Sequence, residues 1–259
     1  MTASLLALRA IVIRDVLRFV HQRSRFVAAL VRPLIWLVVF AAGFRGAFGP
    51  LTPPPHVTPI SYEMYILPGL CGMILLFNGM QSALSLVYDR EMGSMRILLT
   101  SPLPRWWLLV CRLLSSTAIS LLQVYAFLLV AMAFGIHIPL AGYVSALPAL
   151  FLAGLMLGAF GLAMSSSIHQ LENFAGVMNF VIFPTFFLSS ALYPLAQMGG
   201  SSALLLALCE LNPFTHAVEL IRFAFAGQVN WPALAWVLAT GAVFLGITFR
   251  QYTPVRGLR

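Results

Sequence analysis

The sequence predicts an all-α integral membrane protein, a single domain over 1–259 with six transmembrane helices, an N-terminal interfacial amphipathic helix and an outer re-entrant helical hairpin before the last span. Three observations carry that expectation. Of 259 residues, 61% are hydrophobic and only 8% charged, with mean hydropathy +0.94, whereas soluble domains carry roughly one-quarter charged residues. Apolar runs long enough to cross about 30 Å of hydrocarbon recur near 26–48, 62–87, 106–134, 142–167, 173–194 and 231–250. All 15 basic residues are arginine, and they partition. With the N-terminus inside, Arg9, Arg14, Arg18, Arg23, Arg25, Arg32, Arg90, Arg96, Arg105, Arg112, Arg250, Arg256 and Arg259 fall on the inner side or edge, against Arg45 and Arg222 outside. The positive-inside rule then places both termini in the cytoplasm. Because these arginines flank apolar runs, the pI near 10.1 reflects membrane topology and not a nucleic-acid footprint.

Residues 4–25 begin the chain as an amphipathic helix. Leu5, Leu8, Val12, Val16 and Phe19 share one face, opposite Arg14, Arg18, His21 and Arg25. Such a helix lies in the interface, its arginines toward anionic headgroups. After the first span, the Pro-rich segment 49–59 reads as an extended external linker. Between the second and third spans, Tyr88 to Arg105 is a charged island broken by Gly93, Pro102 and Pro104, a handle for a soluble partner at the cytoplasmic face. Glu91 offers that partner a charge and Gly93 allows close backbone approach. Residues 195–230 follow Pro194. The apolar stretch Ser201 to Glu210 is too short to span, and Asn212-Pro213 restarts a helix with Asn as cap and Pro at its first position. Two short helices dipping into the outer leaflet follow from this. Trp36, Trp106, Trp107 and Trp231 lie in or beside span ends, as interfacial anchors do.

Several chemistries are excluded by residue type. A Walker A motif needs a lysine to reach the phosphates, and the chain has none. There is no Gly-x-Ser-x-Gly and no His-Glu-x-x-His, and His21, His56, His137, His169 and His216 are scattered singly, so neither a catalytic site nor a metal site is expected. Cys71, Cys111 and Cys209 lack pairing or ligand spacing and read as packing residues.

Polar residues inside the spans are few and patterned. Asn78, Gln81, Ser82 and Ser85 share one face of the second span, consistent equally with interhelical hydrogen bonding and with a hydrated path. Ser116, Ser120 and Gln123 repeat the pattern on the third span, where interhelical bonding is the simpler account. Asn173, Gly176, Phe180, Phe183 and Phe187 form a seam on the fifth span, suited to packing or to lining a route. Gly154 and Gly158 give the fourth span a close-packing Gly-x-x-x-Gly. On the second outer helix, Glu219 and Arg222 stand one turn apart, either a structural pair or part of an external gate.

These features together resemble the type-2 permeases of ABC exporters, including those for nodulation factors, drugs and surface polysaccharides. The resemblance covers essentially the whole chain. Its most specific parts are Asp89-Arg90-Glu91-Met92-Gly93 through Pro102-Leu103, similar to the family's coupling segment, and Asn212-Pro213-Phe214-Thr215-His216 running to Arg222, similar to its Asn-Pro segment. Leu67-Pro68-Gly69 and Leu188-Ser189-Ser190-Ala191-Leu192-Tyr193-Pro194 also fit. Met92 and Met95-Arg96 depart from positions where the family often has polar and acidic residues.

The resemblance implies a permease subunit with no ATP site of its own. It would pair with a second permease, as a homodimer or as a heterodimer with a paralogue, in a bacterial cytoplasmic (inner) membrane, on two separate ABC ATPase subunits that bind the ATP and Mg. Residues 88–105 would couple to the ATPase through Asp89, Arg90, Glu91, Gly93 and Arg96. Asn78, Gln81, Ser85, Phe180, Phe183 and Phe187 would line the path of an amphiphile, while Asn212, Pro213, Glu219 and Arg222 would form an outer gate. A secondary transporter without an ATPase partner is the alternative, but it calls for ionisable residues in mid-span, and the acids Asp89, Glu91 and Glu172 stand at span edges. A membrane-embedded enzyme lacks a convergent acid-base constellation.

Overall fold

A computed structural model describes residues 8–10, 12–13, 16–17, 21, 23–48, 51–56, 58–92, 104–168, 170–195 and 202–251. Among these, every extended element is helical. We number them α1 (Arg23–Phe48), α2 (Tyr62–Glu91), α3 (Arg105–Ala133), α4 (Leu140–Ser167), α5 (Leu171–Phe187), α6 (Ala203–Leu211), α7 (Pro213–Phe225) and α8 (Trp231–Gln251). Four helices, α2, α3, α4 and α8, are long and apolar enough to cross a bilayer, and α6 with α7 forms an apolar pair bent by 72°. The expected first and fifth spans appear as shorter apolar helical stretches, Leu30–Gly43 and Leu171–Phe187.

The central element is α2, which packs against α1, α3, α4, α5 and α7. Small residues let it come close to its neighbours. A Cβ on Gly161 of α4 would stand 2.8 Å from the Gly79 carbonyl oxygen, and one on Gly79 would stand 3.0 Å from the Gly158 Cα. The expected Gly-x-x-x-Gly pair faces α3 as well, since added Cβ atoms on Gly154 and Gly158 would meet Thr117 and Leu113. Toward the N-terminal end of α2, Gly69 abuts Ala191 and Gly72 abuts Phe214. The buried core runs along this axis through Leu70, Cys71, Leu76, Met80, Phe127, Leu150, Phe174 and Phe214.

Several sequence expectations are corrected. The fifth helix ends at Phe187, not near 194, because the Ser189 hydroxyl donates to the Phe186 carbonyl (2.5 Å) and accepts from the Ala191 amide (3.2 Å), offering the backbone a turn in place of helix. The Pro-rich segment after α1 is not an extended linker. Leu51 and Ile60 exchange backbone hydrogen bonds of 3.2 and 2.7 Å in an isolated antiparallel bridge, and both side chains are buried, so apolar burial closes the loop. The Trp36 ring packs on Phe40 and Phe187 within the helical assembly. Conversely, α2 continues to Glu91, so Asp89, Arg90 and Glu91 ride on its last turn. Of the expected interfacial helix 4–25, the described positions are helical, with Leu8, Val12 and Val16 half-buried and Arg9 and His21 exposed. The rest of it, together with Gly93, Arg96, Arg256, Arg259 and 196–201, lies outside the described residues.

The contact between α2 and α4 yields a direct test. Gly161→Ala is expected to cost about 1–3 kcal/mol, because backbone and not a flexible side chain stands in the way. Gly246→Ala, with nothing within 4 Å, is expected to be neutral or stabilising by up to about 1 kcal/mol. Thermal unfolding in detergent compares the two, and equal shifts would remove the close crossing from the account.

Candidate functional site

Two polar clusters mark the ends of the bundle, and an aromatic face connects them. At one end, the last turn of α2 is tied to three other helices. Asp89 pairs with Arg112 of α3 at 3.0 Å, and Arg112 also donates to the Ser82 carbonyl at 3.3 Å and to the Ser85 hydroxyl. Arg90 donates to the Ser165 carbonyl near the end of α4 (3.2 Å). The Glu91 carboxylate accepts from the Leu171 amide (3.0 Å), the first residue of α5. A carboxylate there both satisfies an orphan helix N–H and suits the positive end of the helix dipole. Of the charges expected to face a partner, Asp89, Arg90 and Glu91 are thus already engaged within the chain. Arg112 entered the sequence argument only as one of the inner arginines. Its position opposite the Ser82–Ser85 face of α2 was the signal, visible only once helix pairing was known.

At the opposite end the turn after α5 is clamped from two sides. From α2, the Tyr62 hydroxyl donates to the Leu192 carbonyl and the Tyr65 hydroxyl to the Ser190 carbonyl, both at 2.9 Å. From α7, Arg222 is only 4% exposed, donates to the same Ser190 carbonyl at 2.8 Å, pairs with Glu219, and lies with Cζ 4.2 Å from the centre of the Tyr65 ring. The Arg222 Nε and the Ser190 hydroxyl are buried without a hydrogen bond, so the clamp is incompletely satisfied. Asn212 joins two helix ends. Its amide nitrogen donates to the Thr185 and Leu188 carbonyls (2.7 and 2.6 Å) at the end of α5, while its oxygen accepts from the Phe214 amide (3.0 Å) at the start of α7. Pro213 occupies the first position of α7, as its missing N–H allows.

His56, in the loop between α1 and α2, reports on the same cluster. Burial pushes its imidazole below the ordinary histidine range, and the charge of Arg222 adds to the shift. Because the folded value lies below 6.5, the stability tied to this shift is present above 6.5 and is lost as pH falls toward the lowered folded value.

Between the clusters, the residues expected to line a path separate. Asn78 donates to the Gln123 carboxamide of α3 at 2.7 Å, which is interhelical bonding. Ser85 belongs to the Asp89–Arg112 charge cluster through Arg112. Gln81 is exposed, and so is the α5 face, with Phe180 78% exposed and Phe183 and Phe187 also open. Phe183 meets Phe77 of α2 edge-on at 6.5 Å and stacks toward Phe187, which meets Trp36 of α1 at 6.1 Å. The aromatic seam therefore faces outward from the bundle. Among the described residues, no group of three His, Cys, Asp or Glu side chains is placed to hold a metal ion.

A bundle of long apolar helices with charged fastenings at one end and a capped helical break at the other is a multi-pass membrane protein. The chain belongs to the ABC-2 type transporter family, whose model matches residues 7–226. It is similar to ycf38 of Pyropia yezoensis, described as a transport permease, at 28% identity over 230 residues, covering 86% of this chain and 75% of the relative. It resembles YbhR of Escherichia coli K12, described as a multidrug ABC transporter permease, at 26% over 194 residues (71% of this chain, 51% of that protein). A daunorubicin resistance ABC transporter permease, DrrB1 of Streptomyces coeruleorubidus, matches at 24% over 245 residues (92% and 83%). Membership makes the chain an ABC transporter permease and implies partnership with ATPase subunits.

The Asn212 bridge is testable by a graded pair. Asn212→Ala removes the cap and both donors to α5 and is expected to lower stability by about 2 kcal/mol. Asn212→Ser retains a cap oxygen and should fall between this and wild type. Unfolding temperatures in detergent decide it, and an Ala variant as stable as wild type would dissolve the bridge.

Proposed function

We propose that this chain is the permease subunit of an ATP-driven exporter that moves an amphiphile of the drug, lipid or lipid-linked glycan class out of the cytoplasm or inner leaflet. Two ABC ATPase subunits, carrying the ATP and Mg, drive a pair of permeases, most simply two copies of this chain. The observation that carries the proposal is the attachment of Glu91 to the first amide of α5, because it joins the cytoplasmic coupling segment to the helix bearing the Phe180, Phe183 and Phe187 face. Force applied to residues 88–105 would reach that face without an intermediary. Gly93 and Arg96 continue the segment toward the ATPase. Gln81 borders the route, with Asn78 behind it and Ser85 at its inner mouth. Asn212, Pro213, Glu219 and Arg222 form the outer gate, whose incompletely satisfied clamp favours opening. The names of the multidrug and daunorubicin relatives favour an amphiphilic cargo.

The proposed topology has six spans, α1 and α5 completing the four long ones, with α6 and α7 as a re-entrant pair and residues 4–25 in the inner interface of a bacterial cytoplasmic membrane. Both termini are cytoplasmic. Val27, Val31, Ile35 and Val38 expose one apolar face of α1, suited to lipid or to a second copy. Cysteines at positions 52 and 256, in a background with Cys71, Cys111 and Cys209 replaced, are expected to label from opposite sides of the membrane, and labelling from one side would refute this topology.

For the function itself, the permease is co-reconstituted with its ATPase subunits and a fluorescent anthracycline. Efflux is expected only with ATP and the ATPase, whereas efflux without them would make it a secondary transporter. Glu91→Arg, which removes the acceptor and places a cation at the α5 N-terminus, is expected to leave ATP hydrolysis but stop efflux. Glu91→Gln keeps the acceptor and should retain most of it. Normal efflux by a normally expressed Glu91→Arg protein would remove this link from the mechanism.

A further inference from the structure

Arg32 is an exposed cation whose guanidinium lies over the Phe77 ring, Cζ 4.2 Å from its centre. Phe77 stands fifteen residues after Tyr62 and fourteen before Glu91, the ends of α2. At 1.5 Å per residue it is about 21 Å from either end. Phe183, in edge contact with Phe77, is twelve residues beyond Leu171, about 18 Å from the inner cluster. The sequence counts Arg32 with the inner and membrane-edge arginines. The structure instead places its charge beside the middle of the central helix.

A cation at such depth costs at least about 2.5–3.5 kcal/mol on insertion scales, and a cation–π contact offsets only about 0.5–2 kcal/mol. The rest calls for a counter-charge. Among the described residues no acid pairs with Arg32. The seven acids of the chain are Asp15, Glu63, Asp89, Glu91, Glu172, Glu210 and Glu219. Asp15 precedes α1, and Glu210 and Glu219 belong to α6 and α7. Glu63, Asp89, Glu91 and Glu172 sit in the first or last turns of α2 and α5. An identical second subunit brings the same acids at the same levels, so it supplies none. The neighbours that are present suit a ligand. Gln81 lies one turn from Phe77 on the same face with an exposed amide, and Phe183, Phe187 and Trp36 give rings for an apolar body.

We propose that Arg32, resting on Phe77 and bordered by Gln81 and Phe183, binds the anionic group, sulfate, phosphate or carboxylate, of an amphiphile within the membrane. This rests on the reading of the aromatic face as a cargo route. The guanidinium fork pairs with two oxygens of such a group while the rings take the chain or aromatic body. An anionic membrane phospholipid offers the same chemistry as a cargo.

The test uses the permease–ATPase complex in phosphatidylcholine nanodiscs, with a pyrene-labelled alkyl sulfate and its matching uncharged alcohol as probes. Wild type is expected to bind the sulfate about tenfold more tightly than the alcohol, the scale of one charge-assisted hydrogen bond. Arg32→Lys should keep that preference and Arg32→Gln should abolish it. A wild-type protein without the preference, or an Arg32→Gln protein that retains it, overturns the proposal. Phosphatidylglycerol added to the nanodiscs separates the sources. If membrane lipid is the occupant, it displaces the sulfate and ATP moves neither probe, whereas a cargo site keeps the sulfate and exports it in vesicles. ATP-driven export of the alcohol with no sulfate preference overturns the anion site and keeps the export reading. A sulfate preference with no ATP-driven movement keeps the site and removes that reading.

Discussion

The last carbonyls of a helix have no partner within that helix, and much of this structure depends on how the chain serves them where α5 ends. Phe187 closes that helix, and Asn212 supplies donors to the Thr185 and Leu188 carbonyls from 24 or more residues further along the chain. The same side chain starts α7, so the end of one helix and the start of another share one amide group. Tyr62, Tyr65 and Arg222 then hold the turn itself, each donating to a backbone carbonyl of residues 190–192. A local break is thereby made into a tertiary joint.

The other end of α5 is held in a complementary way. There the orphan group is an amide and not a carbonyl, and the residue that serves it is an acid, Glu91. Held at both termini and packed chiefly against α2 along its length, α5 is a strut whose aromatic face remains open. Its two attachments belong to the charged end of α2 and to the Asn-Pro start of α7. The geometry gives a physical reason for pairing them in one chain: each satisfies one end of the same helix.

The close crossing of α2 and α4 supplies the fixed frame for this strut. Where Gly79, Gly158 and Gly161 meet, backbones touch, and packing of this kind replaces the hydrophobic drive that lipid does not provide between helices. The Asn78–Gln123 bond lies on the same central helix and secures α3 to it. Polar residues of α2 thus divide by direction, some spent on neighbours and some, such as Gln81, left facing outward.

What the sequence by itself determined was whatever hydropathy and local chemistry dictate: the membrane class, the long helices, the charged segment after α2, and the Asn-Pro cap of α7. These are legible because the bilayer demands apolar length and because caps act within a few residues. The relative positions of side chains from different helices were decided only by tertiary structure. Periodicity put Asn78, Gln81 and Ser85 on one face, yet their neighbours assign Asn78 to α3, Ser85 to Arg112 and Gln81 to the open side. Glu91 read as a charge for a partner because its acceptor role depends on where α5 begins in space. Arg32 read as an edge residue because depth follows from helix pairing, and the ring it rests on belongs to another helix, 45 positions away.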